Sequence, residues 1–406
     1  MARSASPATA VVSRAKRKPR PARFGRGDRS ALGTWFWEID RVLLLLVAGL
    51  IGIGLIAVAA ASPAAAVRYS GGSVTFPPLY YLYRQLVWLG VGLPVMLAVS
   101  MLPKEAARRF AVIGAGVFLL LLALVPFVGV EANGARRWIG AGFAQLQPSE
   151  FLKPLFVVTL AWIFSLGARD KSLPVVWLTA GLTGCVALLL MKQPDFGQTV
   201  IFLSIWLSLL MLSGVQMKWL AALGAAGVGG IVAAYLFYPV ATARIDKFLT
   251  GTGDTYQMDS AHNTLVNGGL IGMGPGAGTM KFRLPEPHTD YIFSVIGEEF
   301  GLLACLAIAL LYLAIVVRVF IKLLDEKDEF LLFAAAGLVV QFGLQALINM
   351  AVNVGIAPSK GMTLPFISYG GSSMIALSVG FGLLLAFTRR NPYLTRSPYV
   401  VTWSGR

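Results

Sequence analysis

The sequence is poor in the residues that carry most chemistry in water-soluble enzymes. Of its 406 residues only 13% are charged, against about 25% in a typical soluble domain, and it has two histidines and two cysteines. It contains no Walker-type phosphate loop, no histidine–cysteine cluster at metal-ligand spacing and no serine–histidine–aspartate arrangement. The sequence therefore gives no support for ATP hydrolysis, zinc chemistry or serine-type catalysis.

Both cysteines lie inside long apolar runs rather than in polar loops. Cys185 and Cys305 are thus far from any segment in which oxidation to a disulfide is expected. We predict two reduced, buried thiols with no part in the chemistry.

Long apolar stretches are what the sequence has in abundance. Hydrophobic residues make up 57% of the chain, and a bilayer core of about 30 Å requires roughly 20 helical residues per crossing. Stretches of that length are predicted near residues 40–62, 79–101, 110–129, 149–167, 174–191, 197–214, 218–239, 290–317, 330–353 and 371–388. We expect an all-α integral membrane protein of about ten transmembrane helices, with a long extracytoplasmic loop, 240–289, between helices 7 and 8.

The distribution of basic residues predicts an orientation. Residues 1–39 are predicted to form a disordered basic cytoplasmic tail, 40–390 the membrane domain and 391–406 a cytoplasmic C-terminal tail. Most of the 34 lysines and arginines then fall on the cytoplasmic side, as the positive-inside rule requires. The net charge of +15 does not indicate nucleic acid, because the basic residues do not form an aromatic-interleaved surface.

Arg68 and Arg84 are isolated, and the other basic residues lie in or beside polar segments, most of them at the opposite face. Arg137 and Trp138 precede Pro148, which is typical of the first turn of a helix. Glu150 and Lys153 follow at a spacing of three, which favours an ion pair. The pair is either a capping carboxylate with a snorkelling lysine or a charged pair lining a cavity, and Arg137 with Trp138 is by itself typical of an interfacial anchor.

A short polar turn joins the fifth and sixth predicted spans. It runs from Lys192 to Gly197 and contains Asp195. We predict a structural role for it, with Lys192 paired to Asp195.

The end of the long loop brings cations, a histidine and carboxylates to one mouth of the bundle. It carries Arg283, His288 and Asp290, and the span that follows carries Glu298 and Glu299. Asp290 either caps that helix or is a general base that removes a proton from an attacking hydroxyl. Glu298 lies too deep to be a second carboxylate beside Asp290, and we expect it to pair inside the bundle.

The last external segment, 353–373, is rich in glycine and proline but also apolar. This composition disfavours a helix and predicts a segment that dips into the membrane against protein. Lys360 within it is either a phosphate ligand or a lipid-headgroup contact.

Five motifs in this chain, in this order, resemble those of the SEDS (shape, elongation, division and sporulation) family of bacterial cell-wall polymerases. They are Asn133-Gly134 with Arg136-Arg137-Trp138, Gln147-Pro148-Ser149-Glu150-Phe151 with Lys153, Gln193-Pro194-Asp195-Phe196-Gly197, His288-Thr289-Asp290 with Gly297-Glu298-Glu299, and the run from Leu364 to Ser373. The run from Lys360 to Leu364 is more similar to the division branch of the family than to the elongation branch.

The resemblance implies an enzyme, a peptidoglycan glycosyltransferase that polymerises lipid II into glycan strands during septal wall synthesis, by an inverting mechanism. It places the catalytic base on Asp290. The substrate-binding residues that it implies are Glu150, Lys153, Arg137, Trp138, Lys360, His288, Arg283 and Ser368, and the supporting residues are Asp195, Glu298 and Glu299.

The resemblance also implies partners and a location. The expected partners are a class B penicillin-binding transpeptidase of the FtsI type and other membrane proteins of the division machinery, at the septal cytoplasmic membrane. No cofactor is assigned, and a divalent cation, Mg²⁺ or Mn²⁺, stays open. The alternatives are a lipid II flippase or transporter and a non-catalytic scaffold for the transpeptidase.

Overall fold

The structure, a computed structural model, describes residues 30–71, 75–132, 135–140, 145–238, 242, 245–246, 256–358 and 361–390. Lys360 and the greater part of both predicted tails lie outside the described residues. Within the N-terminal segment predicted to be disordered, Ala31–Glu38 form a helix, α1. This helix belongs to a unit separate from the helical bundle, which spans residues 39–390.

The bundle consists of eleven described helices and one small hairpin. In chain order these are α2 (Arg41–Tyr69), α3 (Tyr80–Ser100), α4 (Lys104–Val128), β1 (Val130–Ala132), β2 (Ala135–Trp138), α5 (Pro148–Arg169), α6 (Val175–Lys192), α7 (Phe196–Leu212), α8 (Met217–Phe237), α9 (Tyr256–Asn267), α10 (Ile292–Leu323), α11 (Glu329–Asn353) and α12 (Gly371–Thr388). A 3₁₀ turn, Met280–Arg283, lies between α9 and α10.

The all-α membrane fold predicted from the sequence is confirmed. Nine of the described helices are long and apolar enough to cross a membrane, and α7, with 17 residues, is a shorter apolar helix. Each of the ten predicted spans falls on one of these ten helices. The chain is a multi-pass membrane protein.

The hairpin of β1 and β2 was not predicted from the sequence. Its antiparallel strands pair Glu131 with Arg136, and the two side chains form an exposed ion pair at 3.5 Å. Successive strand residues point to opposite sides, so Arg137 faces away from Arg136. The strands are too short for the alternation of apolar and polar residues to reveal them.

The helices differ in how much of their surface is buried. α5, α11 and α12 form the centre of the bundle, whereas none of the described side chains in the most apolar window of α8 is buried. Cys305 on α10 is buried, but Cys185 on peripheral α6 is exposed at the bundle surface, so the prediction of a buried thiol there was wrong. Both cysteines are free, as predicted.

α10 is interrupted at Gly301, where the long loop crosses it. Gly301 has φ of 81° and ψ of 176°, which breaks the helical hydrogen bonding. The loop replaces the lost bonds: the amide of Met273 donates to the carbonyl of Glu298 at 2.9 Å, and the amide of Leu302 donates to the carbonyl of Gly269 at 3.0 Å. The loop is thereby fastened to the same helix that begins just after Asp290.

Substitution of Gly301 by alanine is expected to destabilise the protein by about 2–3 kcal/mol, because φ is positive and strained for other residues. A Cβ at this position would also clash with the backbone carbonyl oxygen of Leu270. Gly181→Ala is the matched control, since a Cβ at Gly181 on α6 meets open space. Thermal unfolding in detergent is the measurement. Equal melting temperatures for the two variants would contradict the proposed interruption of α10.

Candidate active site

A cavity of about 480 Å³ lies at one end of the bundle. It is enclosed by α3, β2, the start of α5, the turn before α10 (residues 286–291) and the loop before α12 (residues 361–370), called the last loop below. Its charged lining residues are two arginines and three carboxylates: Arg84, Arg137, Glu150, Glu286 and Asp290. Aromatic side chains of α3, β2 and the last loop, two glutamines before α5, and small residues of the turn, the last loop and α12 complete the wall. Such a cavity suits a ligand with both anionic and hydroxyl groups.

Asp290 lies in this cavity immediately before α10. It does not cap the helix: the N-cap residue is Tyr291, and that end has no side-chain cap. Within the described part of the chain no donor is hydrogen-bonded to the carboxylate of Asp290, which is thus free to accept a proton. Burial, together with the negative charges of Glu286 and Glu150, raises the pKa of Asp290 to about 7.

A row of amide side chains on α11 fixes the backbone around Asp290. Asn349 donates to the carbonyl of Asp290 at 2.9 Å and to that of Met362 at 2.6 Å. Asn353, one turn further, donates to the same Asp290 carbonyl at 3.0 Å. One helix therefore holds both the turn that carries Asp290 and the last loop.

The predicted pair of Glu150 and Lys153 is present, and it lies in the interior. The amine of Lys153 contacts Glu150 Oε1 at 2.9 Å and Gln345 Oε1 at 3.0 Å, and its side chain is 1% exposed. Gln198 donates to the same Glu150 oxygen at 2.6 Å. Glu150 lines the cavity while Lys153 lies behind it, so the lysine neutralises the carboxylate and does not contact the cavity directly.

Arg137 connects the cavity wall to the turn between α6 and α7. It donates to the carbonyls of Gln193 at 3.3 Å and Pro194 at 2.6 Å, and it lies 3.9 Å from Asp195. Asp195 also caps α7, and burial raises its pKa. The predicted pairing of Lys192 with Asp195 was wrong, because Lys192 is exposed and the nearer cation is Arg137. Trp138 lines the cavity beside Arg137.

His288 is buried in an aromatic cluster rather than open to the cavity. Its ring centre lies 4.0 Å from that of Tyr81 and 5.2 Å from that of Tyr369. Burial lowers the pKa of His288 to about 3, so the ring is neutral. Its backbone carbonyl accepts from the amide of Tyr369 at 2.9 Å, which ties the turn to the last loop.

Glu298 and Glu299 are both buried and bind the end of the long loop. Glu298 accepts from the backbone amides of Thr279 at 2.9 Å and Lys281 at 2.9 Å. Glu299 forms an ion pair with Lys281, whose amine also donates to the carbonyl of Ala60 on α2. Glu298 thus bonds to loop amides rather than to a basic side chain in the bundle.

Two further predicted substrate-binding residues, Ser368 and Arg283, do not line the cavity. Ser368 is buried, accepts from the amide of Leu364 and donates to the carbonyl of Thr289, each at 2.7 Å. It therefore joins the last loop to the turn before Asp290. Arg283 is exposed at the end of the 3₁₀ turn and does not line the cavity.

Within the described ranges, no group of three or more histidine, cysteine, aspartate or glutamate side chains is arranged to hold a metal ion. The carboxylates of the cavity therefore do not form a protein-built metal cage.

Sequence reasoning missed two groups of residues. Arg84 on α3 stands isolated in the sequence, although a charge within an apolar helix is itself a signal of a polar interior. The amides Gln345, Asn349 and Asn353 recur every four residues on α11, a spacing that places them on one helical face. The isolated charge and the four-residue spacing of the amides are both readable in the sequence.

The chain is similar to proteins of one known family. The model of the FtsW/RodA/SpoVE family, described as cell cycle proteins, matches residues 41–393. A probable peptidoglycan glycosyltransferase FtsW of Caulobacter vibrioides is 41% identical over 372 residues, which cover 91% of this chain and 94% of that protein. The protein with the same description from Thioalkalivibrio sulfidiphilus is 37% identical over 369 residues, covering 87% and 90%.

Solved structures agree with the sequence relatives. A chain of a peptidoglycan synthase complex, studied for the coordination of polymerisation and cross-linking, superposes with a TM-score of 0.70 at 30% identity, over 86% of this chain and 97% of that one. The rod shape determining protein RodA of Thermus thermophilus gives a TM-score of 0.63 at 30% identity, over 86% and 96%. The chain belongs to the FtsW/RodA/SpoVE family, and its curated relatives are FtsW proteins.

Proposed function

We propose that this protein is a peptidoglycan glycosyltransferase that polymerises lipid II during septal wall synthesis, with Asp290 as the general base. The observation that carries the proposal is the cavity: at one end of a membrane bundle it holds two arginines and a buried carboxylate with a raised pKa, Asp290, which has no ion-pair partner among the described residues. The names of its relatives, probable peptidoglycan glycosyltransferases, support the type of reaction.

The geometry supports a displacement that inverts the configuration at the anomeric carbon of the donor sugar. Asp290 takes the proton from a sugar hydroxyl of the acceptor, whose oxygen forms a bond to the anomeric carbon of the donor. The bond between that carbon and the pyrophosphate oxygen breaks, and the pyrophosphate leaves on its lipid. Arg84 and Arg137 at the cavity wall stabilise the negative charge that develops there.

The surroundings of the cavity suit a lipid-linked substrate. The cavity lies at the end of the bundle where the long loop meets α10, and positive-inside topology puts that end outside the cytoplasm. The isoprenoid chain stays in the bilayer while the sugar and the pyrophosphate enter among the arginines. We expect both termini to be cytoplasmic, and the partner transpeptidase to be a class B penicillin-binding protein.

The proposal is tested with purified protein, its partner transpeptidase and lipid II in liposomes. Glycan strands and released polyprenyl pyrophosphate are the expected products. Movement of lipid II across the bilayer without strand formation would instead favour a transporter.

The rate of strand formation is expected to rise with pH through about 7. The base must be deprotonated, and the pKa of Asp290 is raised to about 7, so the active fraction increases between roughly pH 6 and 8. The initial rate at saturating lipid II, measured across this range, gives the acid limb of the profile. A flat profile would show that ionisation of Asp290 does not control the reaction.

A further inference from the structure

Glu286 is a second carboxylate in the same cavity, four residues before Asp290, and the mechanism above does not use it. It is half-buried and lines the cavity wall. Its Oε1 accepts from the hydroxyl of Tyr69 at 2.7 Å, and its Oε2 accepts from the hydroxyl of Thr289 at 2.9 Å. Both oxygens are thus held by neutral donors, which fix the carboxylate in place without cancelling its charge.

Glu286 also closes the turn that presents Asp290. Its backbone carbonyl accepts from the amide of Tyr291 at 3.2 Å. Tyr69 is the last residue of α2, so its hydroxyl ties this turn to the end of that helix. The side chain and the backbone of Glu286 together fix the path of the chain on both sides of Asp290.

The charged groups near Asp290 differ in whether they form an ion pair. Glu150 is paired with Lys153, and Arg137 lies against Asp195. No lysine or arginine forms an ion pair with Glu286 among the described residues. Among the described residues, the other titratable groups around the turn and the cavity include Arg84, Tyr80 and Tyr81 of α3, Arg68 and Tyr69 of α2, Tyr369 of the last loop, Tyr291 and the neutral His288.

We propose that Glu286 is a positioning residue for Asp290: it fixes the turn that carries the base, and its negative charge makes that base stronger toward the acceptor hydroxyl. This inference rests on the proposed glycosyl transfer. The raised pKa of Asp290, for which burial is the largest cause and Glu286 the first of the charged ones, agrees with it.

The test is the pH profile of strand formation by Glu286→Gln, which removes the charge but keeps the size of the side chain. The acid limb is expected to move to lower pH by about one unit, and the maximal rate to fall about tenfold because the base is weaker and its turn less well fixed. Glu131→Gln is the matched control: Glu131 is exposed on β1, outside the cavity, and its variant is expected to keep the wild-type profile.

Glu286→Asp separates charge from position. It keeps the charge but cannot reach both donors, so the acid limb is expected to stay within a few tenths of a pH unit of the wild type while the maximal rate falls. Should Glu286→Gln not fold, Glu286→Asp and Tyr69→Phe are measured, and both are expected to show that loss of rate. Wild-type rates in both would overturn the inference.

The failure of this inference is distinguishable from the failure of the proposed function. An acid limb in Glu286→Gln at the wild-type pH, in a preparation whose wild-type protein makes strands, overturns the role of Glu286 alone. Absence of strands from the wild-type protein overturns the function itself.

Discussion

Replacement of Asp290 by asparagine is expected to lower the rate of strand formation at least about 100-fold, because general base catalysis contributes roughly 10²–10⁴-fold. Asparagine has nearly the same shape but cannot accept the proton. Folding is not expected to suffer, since the native carboxylate makes no hydrogen bond within the described residues and is repelled by Glu286 and Glu150. The variant should therefore melt at or slightly above the wild-type temperature.

Asp170→Asn is the matched control for this substitution. Asp170 follows α5 in an exposed turn, where it accepts from Ser172. Its replacement by asparagine is expected to leave strand formation unchanged. Normal polymer from Asp290→Asn would refute the general-base role and would return the scaffold hypothesis to consideration.

Replacement of Lys153 by methionine is expected to destabilise the protein by about 3–5 kcal/mol, the usual cost of breaking a buried ion pair. The amine of Lys153 is the cation that contacts Glu150, and both side chains are buried. Methionine leaves the Glu150 carboxylate without that cation in the interior. Thermal unfolding and retention of the folded fraction in detergent give the measure.

The double variant Lys153→Met with Glu150→Gln shows whether the loss comes from the unpaired charge. It is expected to recover a substantial part of the stability, because the glutamine that replaces Glu150 is neutral and its amide oxygen can still accept from Gln198. Lys192→Met, a change at an exposed lysine, serves as the control and is expected to have little effect. A double variant as unstable as the single one would contradict the ion-pair explanation.

The helices could be predicted from the sequence because apolar length is a local property. α12 is predicted at 371–388 and observed at Gly371–Thr388, and the other spans agree to within a few residues at most ends. α2 and α10 extend beyond the predicted ends, since helix-forming residues continue past the most apolar stretch. The interruption at Gly301 was not foreseen, because it depends on a loop about thirty residues earlier in the chain.

The site was predicted less completely than the helices. Spacing alone identified the Glu150–Lys153 pair, since residues three apart share a helical face. Spacing could not predict that Arg137, rather than Lys192, would contact Asp195, or that Arg283 would lie away from the cavity. Both results depend on how separate loops pack. The amides of α11 contact α5, the turn before α10 and the last loop, and such contacts become visible only in three dimensions.

Glycosyl transfer with Asp290 as the general base is tested by following lipid II in liposomes that contain the wild-type protein and its partner transpeptidase, with the cross-linking reaction inhibited. We predict glycan strands, with one polyprenyl pyrophosphate released for each disaccharide joined, and neither product when Asp290→Asn replaces the wild type. Lipid II that crosses the bilayer unpolymerised would contradict the glycosyltransferase function. Equal strand formation by wild type and Asp290→Asn would contradict the role of Asp290 as the base.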